Sequence, residues 1–338
     1  MDYRLLGRTG VKVSPLCLGV MLFGHGRLGG GIDVDGAARM LQVAFDAGIN
    51  FIDTANVYSR GQSEEILGEA LKRTGQRSRV VVATKVHGTM ADDDPNMGGT
   101  SRRHVIEQCH ASLKRLQTDY IDLYQLHRPR TDIPIDETLR ALDDLVRDGK
   151  VRYIGTSTYA AWQFVEALWV SKEYGLNRFV TEQPPYNILD RRIERELLPM
   201  AQTYGVGILP WSPLAGGLLT GKYKRGEGAP EGSRYAARPD RSRRMTEGIY
   251  DVIEGLQPLA DGKGCTVAQF ALAWAMNQPN ITSPIIGPRT LEQLEDNLGA
   301  LQVSLDDSDR EVVDALMPPG THVSLFYEAN FGTSEYRW

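Results

Sequence analysis

Cysteine is scarce in this sequence: Cys17, Cys109 and Cys265 are the three among 338 residues, far apart and without C-x-x-C spacing. That excludes a disulfide framework and a cysteine-based zinc site, and it points to a reducing cytoplasm. Histidine is equally thin, with His25, His87, His104, His110, His127 and His322 scattered rather than paired on one strand, so no metal site is expected. Long apolar runs are missing too. Met1 leads into Asp2, Tyr3 and Arg4, and no stretch approaches the roughly 18 apolar residues of a membrane span. Neither a leader nor a membrane partner is expected. An excess of positive charge is also lacking: 38 basic against 43 acidic residues give a net charge of -5, which argues against nucleic acid as a partner.

What the sequence does have is alternation. Eight short runs are nearly continuous in apolar character, as strands covered on both faces are: Leu16–Val20, Phe51–Ala55, Val80–Val86, Tyr120–Leu126, Tyr153–Thr156, Phe179–Gln183, Val206–Trp211 and Pro284–Gly287. Between them lie helix patterns at Asp35–Ala47, Ser63–Lys72, Ser101–Leu116, Asp136–Arg147, Tyr159–Tyr174, Arg191–Tyr204, Thr266–Asn277 and Leu291–Leu298, several closed by a glycine. Length, count and regularity together predict an α/β fold, the (β/α)8 TIM barrel, as one domain over residues 1–338.

Three segments stand outside the alternation. Tyr3–Leu6 and Val11–Val13, around Gly7-Arg8-Thr9-Gly10, predict a hairpin that plugs the barrel bottom. The stretch from Leu218 to Gly264 is long for a strand-to-helix connection, carries a polar Gly/Pro/Arg-rich half and then a helix pattern over Met245–Leu259, and is expected to be a functional or mobile loop on the C-terminal face. The tail over 318–338 carries Phe326, Tyr327, Phe331, Tyr336 and Trp338 and is expected to help shape the substrate pocket. Gly24-His25-Gly26-Arg27-Leu28-Gly29 matches G-x-G-x-x-G, but no helix follows until near Asp35, so it is read as a loop and not as a dinucleotide fingerprint.

The chemistry is spread over the ends of successive strands. Asp53 and Tyr58 follow the second run, Lys85 ends the third and His127 ends the fourth, so in a barrel all four project at the C-terminal mouth. Their types suit one task. A phenol with a pKa near ~10 holds its proton tightly, and a neighbouring ammonium makes it a usable acid by stabilising the phenolate. A buried Lys85 needs Asp53 as counter-charge to stay protonated, and a neutral His127 can donate to a carbonyl oxygen. Reduction of a carbonyl by hydride needs such an acid.

From Leu6 to about Ala300 the sequence resembles the aldo-keto reductases. The likeness rests on Gly48-Ile49-Asn50-Phe51-Ile52-Asp53-Thr54-Ala55, Ser63-Glu64-Glu65-Ile66-Leu67-Gly68, Leu113-Lys114-Arg115-Leu116, Gly149-Lys150-Val151-Arg152-Tyr153-Ile154-Gly155 and Gln183-Pro184-Pro185-Tyr186-Asn187. The last segment is nearest to bacterial reductases and potassium-channel β subunits. The resemblance implies NADPH bound without a Rossmann fold, Tyr58 as proton donor tuned by Asp53 and Lys85, and His127 orienting a small-molecule carbonyl substrate. It puts Gly19, Met21 and Asp53 beside the cofactor. Ser157 and Gln183 go to its carboxamide, with Thr158 where the family has Asn, and Trp211 goes to its ring. Ser212, Pro213, Leu214, Gly216, Gly217 and Leu218 go under the pyrophosphate, where small residues let backbone N–H groups approach.

Charge supports a phosphate-rich ligand. From Lys222 to Arg244 there are eight basic residues against three acids, and of these Lys222 and Arg225 are expected to touch the cofactor. Gly287 and Arg289 are matched to the 2′-phosphate, which favours NADPH, and Gln293 and Asn297 to the adenine edge. The substrate pocket is expected to be walled by Met21, Phe23, Tyr58, His87, His127 and Arg128. An NADPH-binding regulatory subunit with little turnover is the alternative reading, separated by an aldehyde panel; the oligomeric state is left open.

Overall fold

The computed structural model describes residues 1–25, 31–237 and 245–323. The start of the chain forms the expected hairpin, with β1 (Arg4–Leu5) antiparallel to β2 (Lys12–Val13). Each of the eight apolar runs contains a strand: β3 (Cys17–Gly19), β4 (Phe51–Asp53), β5 (Val81–Val86), β6 (Ile121–Leu126), β7 (Val151–Ser157), β8 (Phe179–Gln183), β9 (Gly207–Ile208) and β10 (Ile285–Ile286). They lie parallel in chain order with β10 beside β3. The ring closes where Ile208 bridges Ile281 and Trp211 bridges Ile285, with the Thr282 and Ile285 amides donating to Ile208 O and Pro210 O at 2.8 Å.

Around this barrel run α1 (Val34–Asp46), α2 (Gln62–Thr74), α3 (Arg102–Arg115), α4 (Ile135–Arg147), α5 (Ala161–Tyr174), α6 (Leu197–Tyr204), α7 (Glu247–Gly262), α8 (Val267–Met276), α9 (Leu291–Gly299) and α10 (Asp307–Leu316). Side-chain oxygens start several of them: Ser101 accepts from the His104 amide, and Thr266 and Gln269 cap each other reciprocally at 3.1 Å. The outer faces of the strands and the inner faces of the helices share one apolar shell. Leu6 and Val13 of the hairpin segment join Cys17, Phe51, Ala83, Leu123, Val180 and Leu209 in a second cluster, which is the plug at the barrel bottom.

Strand period two then fixes where polarity begins. Phe51, Ala83 and Leu123 point inward in that bottom cluster, and two residues further along each strand the inward positions are Asp53, Lys85 and Gln125. One strand step therefore separates an apolar floor from a charged layer.

Two elements differ from the sequence expectation. The helix expected over Arg191–Tyr204 is a single 3-10 turn, Arg192–Glu194, followed by α6 from Leu197. Pro199 is the reason: it sits in the first turn of α6, where its missing N–H has no intrahelical role, whereas a helix begun at Arg191 would have placed it in the interior. The helix α10 was not expected, since Ser304–Leu316 is acid-rich with few apolar residues; its Leu316 packs so close to Gly255 of α7 that a Cβ there would meet Leu316 Cδ2 at 2.5 Å. The Gly26–Gly29 part of the G-x-G-x-x-G match, the basic residues Arg238, Arg241, Arg243 and Arg244, and the aromatic part of the tail lie outside the described residues.

Gly68 of α2 faces the backbone at the end of α3, where an added Cβ would lie 2.6 Å from Leu116 C and 2.7 Å from Arg115 O. Alanine in a helix normally gains about 1 kcal/mol over glycine, but overpacking against backbone costs about 1–3 kcal/mol and wins. Gly68→Ala should lower the urea midpoint, while Gly262→Ala, which meets nothing within 4 Å, should leave it unchanged or raise it. Equal stability of Gly68→Ala and wild type would contradict the α2–α3 contact.

Candidate active site

At the C-terminal mouth the Lys85 ammonium is fully buried and donates to Asp53 Oδ1, to Thr54 O at 2.9 Å and to Tyr58 Oη at 3.3 Å. Its three N–H groups are thereby all used. Burial alone would pull its pKa down, but the charges of Asp53 and Tyr58 outweigh that and hold it above the ordinary lysine value. Lys85 stays a cation. Because Tyr58 Oη accepts from Lys85, the phenolic proton is left to be given elsewhere. Tyr58 is set in place by a tight turn in which Ser59, Arg60 and Gly61 all take left-handed backbone angles.

His127, one residue beyond β6, stands edge-on to Tyr58 with ring centroids 5.6 Å apart. Burial first, then the charges of Lys85 and Arg128, push its pKa well below the usual histidine value, so the imidazole is neutral and retains one N–H donor. The second oxygen of Asp53 is held from the other side, by Gln125 Nε2 at 3.1 Å and Gln183 Nε2 at 2.9 Å. Gln125 was given no role in the sequence reading. Its only signal there was an amide in a strand that also carries Asp122.

A cavity of about 780 Å³ opens above these groups. Its wall includes Asp53, Tyr58, His127 and Arg128 at one end, and Gly19, Met21, Ser157, Gln183, Trp211, Ser212, Pro213, Leu214 and Gly216 along its length. Lys222, Gly287, Arg289, Gln293 and Asn297 line the rest. Lys222 is lowered by burial and then by the charges of Arg289 and Arg234, which means that three cations share this part of the cavity. The Arg289 guanidinium also donates to Gly232 O at 3.1 Å, tying the 221–237 segment over it, and Thr290 caps α9 beside it. Thr220, Arg234, Tyr235, Ala268 and Asp296 line the cavity as well and were not singled out from the sequence. Nothing in their local spacing marks them, because the chain brings them there from separate loops and helices.

Four expected contacts are absent from this wall. Arg225 is held on the outside by Glu247, by Asp251 at 2.6 Å and by Glu254 at 3.0 Å, so three carboxylates of α7 take the guanidinium before any cavity ligand could. Leu218 and Phe23 are buried among apolar neighbours instead of facing the cavity. His87 lines a separate cavity of about 460 Å³ with Arg130, Thr89 and Asn96. Burial and then the charges of Arg130 and Arg128 bring its pKa down to about 4.

Beside the site lies a carboxyl that the sequence did not mark. Glu182 is fully buried, accepts from Thr156 Oγ1 and from the Tyr159 amide at 3.0 Å, and so holds the turn after β7, where Thr158 takes a φ of 65°. Thr158 accepts from the Arg128 guanidinium at 3.1 Å. The turn also carries Ser157, whose hydroxyl donates to Gln183 O at 2.9 Å.

Residues 15–318 match the family model described as aldo/keto reductase family. The chain is similar to a Bacillus subtilis (strain 168) protein called uncharacterized oxidoreductase YrpG, 42% identical over 331 residues that cover 95% of this chain and 97% of that one. It is also similar to a probable voltage-gated potassium channel subunit beta of Oryza sativa subsp. japonica, 40% identical over 308 residues, 90% and 92% of the two chains. A protein of Schizosaccharomyces pombe (strain 972 / ATCC 24843) called putative voltage-gated potassium channel subunit beta is 39% identical over 312 residues, 89% and 88% of the two chains.

Glu182 carries a pH signature. Burial pushes its pKa up from 4.5 to about 8, so between those values the folded chain holds a proton that the unfolded chain has lost. Stability from this group is therefore greatest in acid and falls as pH rises through about 8. Glu182→Gln should remove that fall, by roughly 2–4 kcal/mol between mildly acid and alkaline buffer, read from urea unfolding at several pH values. Parallel pH curves for the two proteins would refute the buried carboxyl.

Proposed function

The chain belongs to the aldo/keto reductase family, whose members are oxidoreductases, and from that premise we propose that it reduces an aldehyde or ketone to an alcohol with NADPH, Tyr58 acting as general acid. The observation that carries the reading is the use of all three Lys85 N–H groups, one of them on Tyr58 Oη at 3.3 Å, which leaves the phenolic hydrogen free toward a cavity that Tyr58 and His127 both line. As negative charge develops on a carbonyl oxygen, Tyr58 gives it the proton, and the fixed Lys85 cation stabilises the charge left on the phenol oxygen. Neutral His127 orients that carbonyl by its ring N–H. Asp53 keeps Lys85 charged and pointed.

The cavity also fits the dinucleotide. Gln183 and Ser157 would hold the carboxamide, Trp211 the ring, and Ser212 to Gly216 the pyrophosphate, where Gly216 and Gly217 adopt positive φ and bring backbone close. Lys222, Arg234 and Arg289 would take the 2′-phosphate, and Gln293 and Asn297 the adenine. Bound NADPH would supply the hydride. A small-molecule carbonyl substrate would enter at Met21, His127 and Arg128, and the scarcity of cysteine supports a cytoplasmic setting.

Tyr58→Phe tests the acid. It should cut turnover of a carbonyl substrate by about 10²- to 10⁴-fold while NADPH still quenches protein fluorescence; unchanged turnover would remove Tyr58 from the reaction. Arg289→Ala tests the cofactor choice. A hydrogen bond to a charged phosphate is worth about 1.5–3 kcal/mol, so NADPH should bind roughly 10- to 100-fold more weakly with NADH affinity unchanged. Equal losses for both nucleotides would show that Arg289 does not read the phosphate.

A further inference from the structure

The amide of Gln183 is unusually constrained. Its Nε2 has two hydrogens, one donated to Asp53 Oδ2 at 2.9 Å and the other to Gln125 Oε1 at 3.2 Å. Gln125 in turn donates its own Nε2 to the same Asp53 oxygen at 3.1 Å. A carboxylate accepts and cannot donate, so Asp53 fixes which end of each amide faces it. Gln125 is fully buried and paired in register with Lys85, so it cannot swing away.

The consequence lies on the cavity side. Gln183 lines the cavity, and among the described residues its Oε1 accepts no hydrogen bond. Ser157, on the same wall, has given its hydroxyl hydrogen to Gln183 O at 2.9 Å and presents lone pairs. Two acceptors with no donor between them recognise an N–H group and repel an anionic oxygen.

We propose that Gln125 is a positioning residue that, together with Asp53, locks the Gln183 amide with its oxygen toward the cavity, and that the site therefore accepts a primary carboxamide there and rejects a carboxylate. Resting on the reading of the cavity as a nicotinamide nucleotide site, this means that the amide nucleotide is taken and its nicotinic acid counterpart refused. Removing Gln125 takes away one of the two acceptors of Gln183 Nε2, so the amide is held by Asp53 alone and its oxygen is less firmly aimed at the cavity.

The test measures, by calorimetry, binding of NADP⁺, of nicotinic acid adenine dinucleotide phosphate and of 2′,5′-ADP to wild type and to Gln125→Met, a swap of similar volume. Wild type should prefer the amide over the acid form by at least about 100-fold, as sites built on hydrogen bonding do. Gln125→Met should reduce that ratio about tenfold or more and leave 2′,5′-ADP, which lacks the ring end, unaffected. A wild type that binds both forms alike, or a Gln125→Met protein that keeps the full ratio, overturns the proposal. A second measurement needs no nucleotide: in ¹⁵N-labelled protein both Gln183 side-chain N–H signals should be protected from solvent exchange, with one losing protection in Gln125→Met. Two freely exchanging signals in wild type would refute the lock itself, whereas protected signals with no 2′,5′-ADP binding would refute only the cofactor reading.

Discussion

A lysine ammonium with no exposure to water is the constraint from which the mouth of this barrel is organised. Removing one partner of a buried ion pair costs about 3–5 kcal/mol, because the remaining charge is left without water or counter-ion. Lys85 therefore needs every acceptor it has, and these come from β4 (Asp53), the residue after it (Thr54) and the turn beyond (Tyr58). Such a set exists only if β4, β5 and β6 keep their register, since a slip of one residue would turn Lys85 and Gln125 out of the barrel and Thr84 and Tyr124 into it. The geometry of this side-chain cluster and the fold are specified by the same pairing.

The electrostatics of the cavity are graded along its length. At the reacting end the cation is buried behind Tyr58 and the imidazole is kept neutral by burial and by that cation, so a hydrogen-bond donor is available without a second positive charge. At the far end Lys222, Arg234 and Arg289 lie together, and burial, then the charges of Arg289 and Arg234, lower the pKa of Lys222. Three cations held near one another focus a positive potential on this end of the cavity and favour an anion there. Arg225 shows the opposite solution within the same basic stretch, because the protein itself supplies its carboxylates.

Much of this was legible in the sequence, for a physical reason. Continuous apolar runs ending in Asp53, Lys85 and His127 are what a barrel strand looks like when its floor is packed and its rim is functional, and period two carries that information without long-range knowledge. What was not legible depends on direction rather than pattern. The count of basic residues from Lys222 to Arg244 gave the sign of the ligand but could not tell Lys222, which faces the cavity, from Arg225, which faces α7. Phe23 was expected on the wall as part of the loop after the first strand and Leu218 by the resemblance of its segment, yet adjacent residues in a loop point different ways and both are buried among apolar neighbours. The break before α6 is encoded by Pro199, which the helix pattern over Arg191–Tyr204 does not register. Gln125 and Glu182 carried no signal beyond being polar in a strand, since their partners are set by tertiary register.

Glu182 on β8 and Gln125 on β6 are nonetheless each expensive in the same sense. A buried carboxyl whose pKa is driven up to about 8 lowers stability at neutral pH, and a buried amide is tolerable only while all its partners are present. Neither would be selected by packing alone, since an apolar residue of similar volume avoids both costs. What each provides is orientation: Glu182 holds the left-handed turn that carries Ser157 and Thr158, and Gln125 holds the amide of Gln183 against Asp53. Together they fix two adjacent acceptors on one wall of the cavity, within a hydrogen-bonded path that continues through Asp53 to Lys85 and Tyr58. The groups that would bind a ligand's amide are therefore continuous with the group that would give up the proton, and a displacement at either end must be felt at the other.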